Sequence, residues 1–326
     1  MSKAHIWIVS PASARNNNGN WQSASRWARF LRTRYRVTIA QHWPAPDAAA
    51  DAAPPDLLIA LHARRSAISL DAWTRAHPDR PSVLLLTGTD LYRDIRADAG
   101  AQRSLRQASA LVVLQSHGVQ ALPAQWHSKT RVIYQSAATL RPRPGPHRYA
   151  DVCMIGHLRA EKDPLTFMRA AALVRAPSAR LIHIGGALEP ELEQAALATA
   201  AQQPRYRWLG AMAHAATRQR LKRSRAMALS SHMEGGANVI IEAVCAGVPV
   251  LASDISGNRG MLGDDYQGYF PPGDAAALAR LIDRITEDQG FHAALRAQCD
   301  ARAPLFAPAA EQAALLELVD NLLHKT

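Results

Sequence analysis

Short, almost purely apolar runs alternate with longer amphipathic stretches along the whole chain. Such runs are typical of strands that are covered on both faces, and the stretches between them are typical of helices that connect parallel strands. The runs that we interpret as strands lie at 5–10, 37–40, 57–61, 83–86, 110–114 and 131–134, and then at 152–155, 181–184, 206–209, 227–230 and 248–252. The alternation therefore predicts an α/β fold built on parallel sheets.

A proline-rich break divides this pattern into two halves. Residues 140–148 contain three prolines and a glycine, and they interrupt both periodicities as an interdomain linker does. We therefore expect one domain over 1–145 and a second over 146–304. A final helix within 305–326 is expected to leave the second domain and pack back on the first. With 326 residues, 48% of them apolar, the chain can fill two cores, which excludes disordered, collagen-like and disulfide-stapled classes.

The spacing of the cysteines and the length of the apolar runs indicate where the protein resides and whether it binds a metal. Cys153, Cys245 and Cys299 are isolated in sequence, so neither a zinc ribbon nor a disulfide framework is predicted. No aspartate trio or histidine pair has metal-ligand spacing, and we expect a metal-independent protein. The apolar runs are too short for a signal segment or a membrane span. These features predict a soluble, cytoplasmic protein without stable membrane association.

Positive charge is concentrated in the first half of the chain. Residues 1–150 hold 20 basic and 8 acidic side chains, whereas residues 151–326 hold 18 and 19. Such an excess favours an anionic partner, and three classes fit: nucleic acid, an anionic membrane and a small phosphorylated compound. Nucleic acid is disfavoured because aromatic residues make up only 6% of the chain and the arginines are dispersed. Two alternatives remain, a merely solvated cationic surface and membrane docking by the helix that carries Trp27 and Phe30.

The densest group of candidate site residues lies between Ser230 and Ser253 and is predicted to form strand, glycine turn, helix and strand. Glycines at the turn let the backbone approach a ligand closely, and the first amides of the helix have no partner inside it. Such a turn is suited to a diphosphate, with a carboxylate on either side to accept sugar hydroxyls. A glycine-capped unit that binds nothing is the alternative. The candidate residues are Glu234, Gly235, Gly236, Ala237, Asn238 and Glu242.

A second candidate element, at 155–164, also joins a strand to a helix. Gly156 permits a tight exit from the strand, and Arg159 and Lys162 place two cations at the carboxyl end of the sheet. Next to the glutamate–glycine turn, these cations would clamp a phosphate; alone, they would be ordinary surface charges.

Together, these two motifs resemble the donor site of family 4 glycosyltransferases, a large retaining family with the GT-B fold. The resemblance implies two Rossmann-like parallel-sheet domains that face a central cleft, with the donor in the second domain and the acceptor in the first. It assigns Arg159 and Lys162 to the donor diphosphate, Glu234 to the sugar and Glu242 to the ribose. In one respect the chain departs from the family, because His157 follows the glycine where the family usually has its arginine.

Further segments resemble the selenosugar synthases of selenoneine biosynthesis more closely; they lie at 15–20, 60–67, 86–95, 236–240 and 263–271. This resemblance implies transfer of N-acetylglucosamine from its UDP donor to selenophosphate, with the UDP-sugar as co-substrate and no other cofactor. A selenium nucleophile needs little activation, so no strong requirement for a general base is expected. Alternatives are a GT-B transferase with a conventional sugar or lipid acceptor, a UDP-sugar epimerase, and a non-catalytic regulator that binds a UDP-sugar.

On the acceptor side, three loops are predicted at the carboxyl ends of strands, at 15–20, 62–65 and 87–93. An arginine in the first or second loop would bind the acceptor phosphate, helix-start amides would assist, and a histidine would polarise a hydroxyl or move a proton. Each of these side chains also has an ordinary structural interpretation. The candidates are Arg15, Asn18, Gly19, Asn20, His62, Arg64, Thr89 and Asp90.

Overall fold

The structure is a computed structural model that describes residues 3–12, 19–45, 53–140 and 148–324. Its chain divides into two compact units: unit 1 comprises Met1–Ser136 and Pro308–Thr326, and unit 2 comprises Ala137–Ala307. The core of the predicted linker, 141–147, lies outside the described residues.

Unit 1 is built on a six-stranded parallel sheet in the order β2-β1-β3-β4-β5-β6. Its strands are β1 His5–Val9, β2 Arg36–Ala40, β3 Leu57–Leu61, β4 Ser82–Leu85, β5 Ala110–Val113 and β6 Thr130–Val132. Its α-helices are α1 Gly19–Leu31, α2 Ala67–Ala76, α3 Ile95–Ala97, α4 Ala99–Gln107 and, from the end of the chain, α12 Pro308–Leu323. One hydrophobic cluster packs on each face of this sheet.

The last helix packs within unit 1 and covers the face of α1 that carries Trp27 and Phe30. These side chains are 0% and 6% exposed and share a core with Leu315 and Val319 of α12. The alternative of a membrane-docking face on α1 is therefore wrong, because its apolar side chains are packed in the core. Within the described ranges, no helix combines the length and the hydropathy that a membrane crossing requires.

Unit 2 holds a second six-stranded parallel sheet, in the order β12-β11-β10-β7-β8-β9. Its strands are β7 Ala150–Ile155, β8 Ala179–Ile184, β9 Tyr206–Trp208, β10 Ala226–Leu229, β11 Val250–Ser253 and β12 Tyr269–Phe270. Its α-helices are α5 Pro164–Leu173, α6 Pro190–Gln202, α7 His214–Leu221, α8 Asn238–Cys245, α9 Ser256–Leu262, α10 Ala275–Glu287 and α11 Gln289–Arg302. The prediction of parallel α/β sheets is confirmed for both units.

Three local predictions are corrected. Residues 87–93 are not simply a loop, because a π-helical turn begins at Asp90. The strand predicted to start at 248 starts at Val250, since the amide of Val248 still donates to Ala243 in α8. The two-residue strand β12 was missed, because so short a run carries no periodicity.

Candidate functional site

The two motifs of unit 2 lie side by side at one edge of its sheet. β7 and β10 are adjacent and parallel, so the loops that follow them leave the sheet at the same edge. Ser230 Oγ donates to the carbonyls of Lys162, at 3.0 Å, and Asp163, at 2.7 Å. The amide of His232 donates to the carbonyl of Glu161 at 3.0 Å. These contacts join the loop after β10 to the loop after β7.

Lys162 and Glu234 form an ion pair between these loops. Their side chains are 14% and 11% exposed, and Glu234 Oε1 also accepts from Ser231 Oγ at 2.6 Å. A lysine ammonium has three donors, so Lys162 keeps hydrogen-bonding capacity beyond Glu234. The pair therefore places a partly buried cation, held by a carboxylate, next to the glycine turn.

Close backbone packing holds this pair in place. A Cβ on Gly257, in the first turn of α9, would lie 1.9 Å from the carbonyl oxygen of Glu234. A Cβ on Gly185, after β8, would lie 1.9 Å from the carbonyl oxygen of Gly156. A side chain at either position would push the loops apart. Sequence reasoning missed both glycines, although each directly follows a strand or opens a helix.

The glycine turn leads into α8, whose N-cap position, Ala237, makes no side-chain capping bond. Gly235 and Ala237 are buried, while Gly236 and Asn238 are partly exposed. Among the described residues, the amides of these four residues donate no hydrogen bond to a backbone carbonyl. Unpaired amides at the start of a helix favour an anionic ligand.

Glu242 lies in the second turn of α8 and is paired outside its own helix. Its side chain is 14% exposed, and Oε1 lies 2.6 Å from Nε2 of His214, the first residue of α7. The contact links α8 to α7 and fixes the orientation of the carboxylate. Sequence reasoning did not identify His214.

The two side chains after Gly156 differ in their contacts. His157 Nδ1 accepts the amide of Gly186 at 3.0 Å, so its ring braces the loop after β8. Arg159 is exposed and precedes the 3-10 turn Ala160–Lys162. The structure thus leaves an exposed guanidinium at Arg159 and gives His157 a bracing contact.

His183 supports the Gly156 loop from inside the sheet. It is 0% exposed; Nε2 lies 3.3 Å from the carbonyl oxygen of Gly156 and Nδ1 lies 3.0 Å from the hydroxyl of Tyr206. Because a carbonyl only accepts, Nε2 carries the proton and donates it there, and Nδ1 accepts from the tyrosine. Burial lowers the pKa of His183 to about 4, so the ring is neutral near pH 7. Sequence reasoning did not identify His183, although a histidine inside the apolar strand β8 is a signal for a buried polar contact.

The depressed pKa of His183 predicts that acid destabilises unit 2. The folded protein disfavours the protonated His183 ring. The neutral ring therefore contributes to the free energy of unfolding above pH 6.5, and this contribution is lost as the pH falls towards about 4. The full shift corresponds to about 3 kcal/mol. Urea unfolding at pH 6.5 and at about pH 4 should show a smaller loss of unfolding free energy for His183→Gln than for the wild type. His232→Gln, which removes an exposed histidine of the same unit, should keep the wild-type loss; equal losses in all three proteins would contradict the prediction.

In unit 1, His62 follows β3 and is buried with both ring nitrogens engaged. Nδ1 accepts the amide of Arg65 at 3.4 Å, and Nε2 therefore donates to Thr89 Oγ1 at 3.1 Å. Its φ of 72° is in the left-handed region, which is uncommon for a residue other than glycine. Burial lowers the pKa of His62 more than the nearby Asp90 carboxylate raises it. Contact with a substrate would require one of these two hydrogen bonds to break.

The other unit 1 candidates divide into buried and exposed groups. Asp90 is 0% exposed, and its carboxylate accepts the amides of Ala63 and Thr87, each at 2.8 Å, so it joins two loops. Thr89 is partly exposed and meets His62. Arg64 is 46% exposed, and its Nε donates to Asp94 at 2.9 Å.

Residues of the first acceptor loop are only partly described. Arg15 and Asn18 lie outside the described residues, whereas Gly19 and Asn20 form the first residues of α1, as predicted for a helix start. Over the described segments, no group of three or more His, Cys, Asp or Glu side chains is arranged as a metal site.

Comparisons with known proteins identify a family for the second part of the chain and a fold for nearly all of it. Residues 138–305, just over half of the chain, match the family described as "Glycosyl transferases group 1". No curated protein matches the sequence.

Three solved structures share the fold at low sequence identity. The Anabaena protein Alr3699/HepE, in complex with UDP and glucose, is 19% identical with a TM-score of 0.76, over 98% of this chain and 100% of that one. Sucrose-phosphate synthase from Thermosynechococcus elongatus is 17% identical with a TM-score of 0.77, over 99% and 100%. The pneumococcal O-GlcNAc transferase GtfA, in complex with UDP and GlcNAc, is 15% identical with a TM-score of 0.65, over 82% and 57%. The prediction of a GT-B fold is confirmed.

Proposed function

Because this chain belongs to the group 1 glycosyltransferase family, we propose that it transfers N-acetylglucosamine from UDP to selenophosphate, releasing UDP and forming a selenosugar. The observation that carries the donor half of this proposal is the Lys162–Glu234 pair beside the unpaired amides at the start of α8. This arrangement offers a cation and oriented N–H groups to a departing diphosphate.

On the donor side, each element has a distinct part in the proposed reaction. Lys162, the exposed Arg159 and the α8 amides stabilise the negative charge that develops on UDP as the sugar–oxygen bond breaks. Glu234 holds Lys162 and lies beside the sugar, and Glu242 accepts ribose hydroxyls. Gly156, Gly235, Gly236, Ala237 and Asn238 allow the backbone to approach the diphosphate. The positive charge comes from the protein itself, so the proposal needs no metal.

The identity of the donor is supported by the names of the similar structures. The Anabaena protein is described with UDP and glucose, and the pneumococcal O-GlcNAc transferase with UDP and GlcNAc. A uridine diphosphate donor is therefore consistent with the fold neighbours, and the N-acetylglucosamine moiety comes from the resemblance to selenosugar synthases.

The acceptor half of the proposal depends on that resemblance and on charge. The segments that carry it include 60–67 and 86–95, which in unit 1 surround His62 and lead into the turn at Asp90. The excess of basic residues in 1–150 suits a small anionic acceptor. Arg15, Asn18, Gly19, Asn20, Arg64 and Thr89 remain proposed acceptor ligands, and Asp90 supports their loops from a buried position.

In the proposed reaction, the selenium of selenophosphate attacks the anomeric carbon, and the bond from that carbon to the diphosphate oxygen breaks with its electron pair leaving on UDP. A carbon–selenium bond forms, and the phosphoryl group on selenium is then transferred to water, giving inorganic phosphate. Because selenium is already a strong nucleophile, no side chain has to deprotonate it. This is consistent with His62, whose ring is neutral and turned to Thr89.

Mass spectrometry of the products formed when the protein is incubated with UDP-N-acetylglucosamine and selenophosphate tests this function. We expect UDP and a selenium-containing N-acetylhexosamine, in amounts that EDTA does not lower. Thiophosphate and phosphate serve as acceptor controls, and Lys162→Ala is the matched variant with strongly reduced turnover. UDP release without a selenium-containing sugar would contradict the acceptor and favour a conventional sugar or lipid acceptor. A free sugar or an epimer formed without acceptor would indicate an epimerase. Binding of UDP-sugar with no turnover in any mixture would indicate a regulator.

A further inference from the structure

We propose that unit 1 has a binding site of its own for a phosphate-class anion, formed by the guanidinium groups of Arg64 and Arg93 and aligned by Asp94. The proposal deepens the proposed function, and it rests on that function only for the identity of the anion as the acceptor phosphate. Arg93 and Asp94 were not among the residues that the sequence singled out for this role.

The geometry at Asp94 is that of a carboxylate shared by two arginines. Arg64 Nε donates to Oδ2 at 2.9 Å, and Arg93 Nε donates to Oδ1 at 3.2 Å. The Asp94 side chain is 7% exposed, whereas those of Arg64 and Arg93 are 46% and 53% exposed. A buried carboxylate thus holds two half-exposed guanidinium groups, one on each oxygen.

Guanidinium groups held in this way are suited to an oxyanion. Each is a planar fork of five N–H donors, and Asp94 takes the donor at Nε from both arginines. A guanidinium group whose orientation is fixed loses less conformational entropy when a phosphate binds at its exposed edge. The arrangement therefore preorganises two cations on one small region of the surface.

The location of this cluster agrees with a ligand site. Arg64 follows β3 and Arg93 follows β4, and these adjacent parallel strands end at the same edge of the sheet. In open α/β sheets, ligands bind beyond the carboxyl ends of the strands.

Charges around the cluster leave a positive excess. Arg65 is exposed on the same loop as Arg64, and the Asp90 carboxylate is directed at backbone amides. His62 lies 3.9 Å from Asp94 Oδ2, and burial lowers its pKa, so it contributes no charge near neutral pH. Among the described residues named here, three arginines thus lie with two carboxylates, and this balance favours an anion.

Calorimetric titration of the full-length protein with inorganic phosphate and with thiophosphate, each in the absence and presence of saturating UDP, tests the site. Arg64→Gln and Arg93→Gln should each weaken binding of both anions at least tenfold, with UDP affinity unchanged. The matched control is Arg75→Gln, which removes an exposed unit 1 arginine paired with Asp71 at 2.5 Å and should change neither. Unchanged anion binding in the first two variants, or an equal loss in Arg75→Gln, would overturn the proposal.

The direction in which phosphate affinity changes in Asp94→Asn distinguishes a positioning role of Asp94 from a purely electrostatic one. By Coulomb's law alone, removal of the Asp94 charge in Asp94→Asn would strengthen the binding of any anion. If Asp94 aligns the arginines, phosphate binding should instead weaken severalfold, while binding of the monovalent anion nitrate holds or strengthens. Tighter phosphate binding in a variant with wild-type UDP affinity would refute the alignment.

Failure of the anion site and failure of the proposed function give different results. A wild-type protein that binds phosphate through Arg64 and Arg93 but forms no selenosugar would keep the anion site and lose the selenium acceptor. Selenosugar formation that is unaffected in Arg64→Gln and Arg93→Gln would keep the function and reject this site as the place where the acceptor phosphate binds.

Discussion

Replacement of Lys162 by alanine is expected to lower the rate of UDP release from the donor by about 10²–10³, the usual cost of removing one group that stabilises developing negative charge. The structure holds the Lys162 ammonium in an ion pair with Glu234, the residue that directly precedes the glycine turn leading into α8. Because charge on the diphosphate grows as the sugar bond breaks, the loss should fall mainly on kcat and less on KM. Initial rates of UDP release measured with saturating acceptor provide the test.

Two control variants separate this electrostatic role from folding. Lys222→Ala removes a half-buried lysine of unit 2 at the end of α7, and it should keep wild-type turnover. Lys162→Ala removes the ion pair of the buried Glu234 carboxylate and leaves it the hydrogen bond from Ser231, which costs stability. In the double variant Lys162→Met/Glu234→Gln, stability should recover without recovery of turnover. Wild-type turnover in that double variant would contradict a catalytic role for the Lys162 charge.

The architecture could be predicted from sequence because its signal is local. Each buried strand of a parallel sheet is a continuous apolar run, and for this reason the strand predicted at 57–61 coincides with β3. The N-cap at Asp163 has a local signal of the same kind, because an aspartate followed by proline is typical of a helix start. In the structure its carboxylate accepts the amide of Thr166, three residues on. The strand β12 lacked such a signal, since its two residues acquire their structure by pairing with β11.

The candidate site could be predicted only in part, because its contacts depend on strand order. Sequence spacing placed Lys162 and Glu234 each at a strand end, but their ion pair follows from the adjacency of β7 and β10, which are far apart in the chain. The support of Gly156 by His183 comes from the neighbouring strand β8 in the same way. Asp94 lies just beyond the predicted loop 87–93, at the end of a π-helical turn that the sequence does not signal.

Replacement of Glu242 by alanine is expected to weaken UDP binding about 10–100-fold, since hydrogen bonds to a charged group contribute about 1.5–3 kcal/mol. The carboxylate is mostly buried in the second turn of α8, and His214 holds one of its oxygens at 2.6 Å. Calorimetry with UDP measures the loss, and Arg64→Gln in unit 1 should leave UDP affinity unchanged. A loss of UDP affinity in Arg64→Gln with none in Glu242→Ala would contradict the assignment of the donor to unit 2.

The role of the Glu242 carboxylate itself can be isolated by two comparisons. His214→Ala removes the same hydrogen bond from the other side and keeps the carboxylate, so UDP affinity should stay within about threefold of wild type, below 1 kcal/mol. If Glu242 binds the ribose, 2′-deoxy-UDP should bind the wild type less tightly than UDP does, and Glu242→Ala should bind both nucleotides about equally, because the interaction is then already lost. A full penalty for 2′-deoxy-UDP in Glu242→Ala would show that another group contacts the ribose and that Glu242 acts through the packing of α8 and α7.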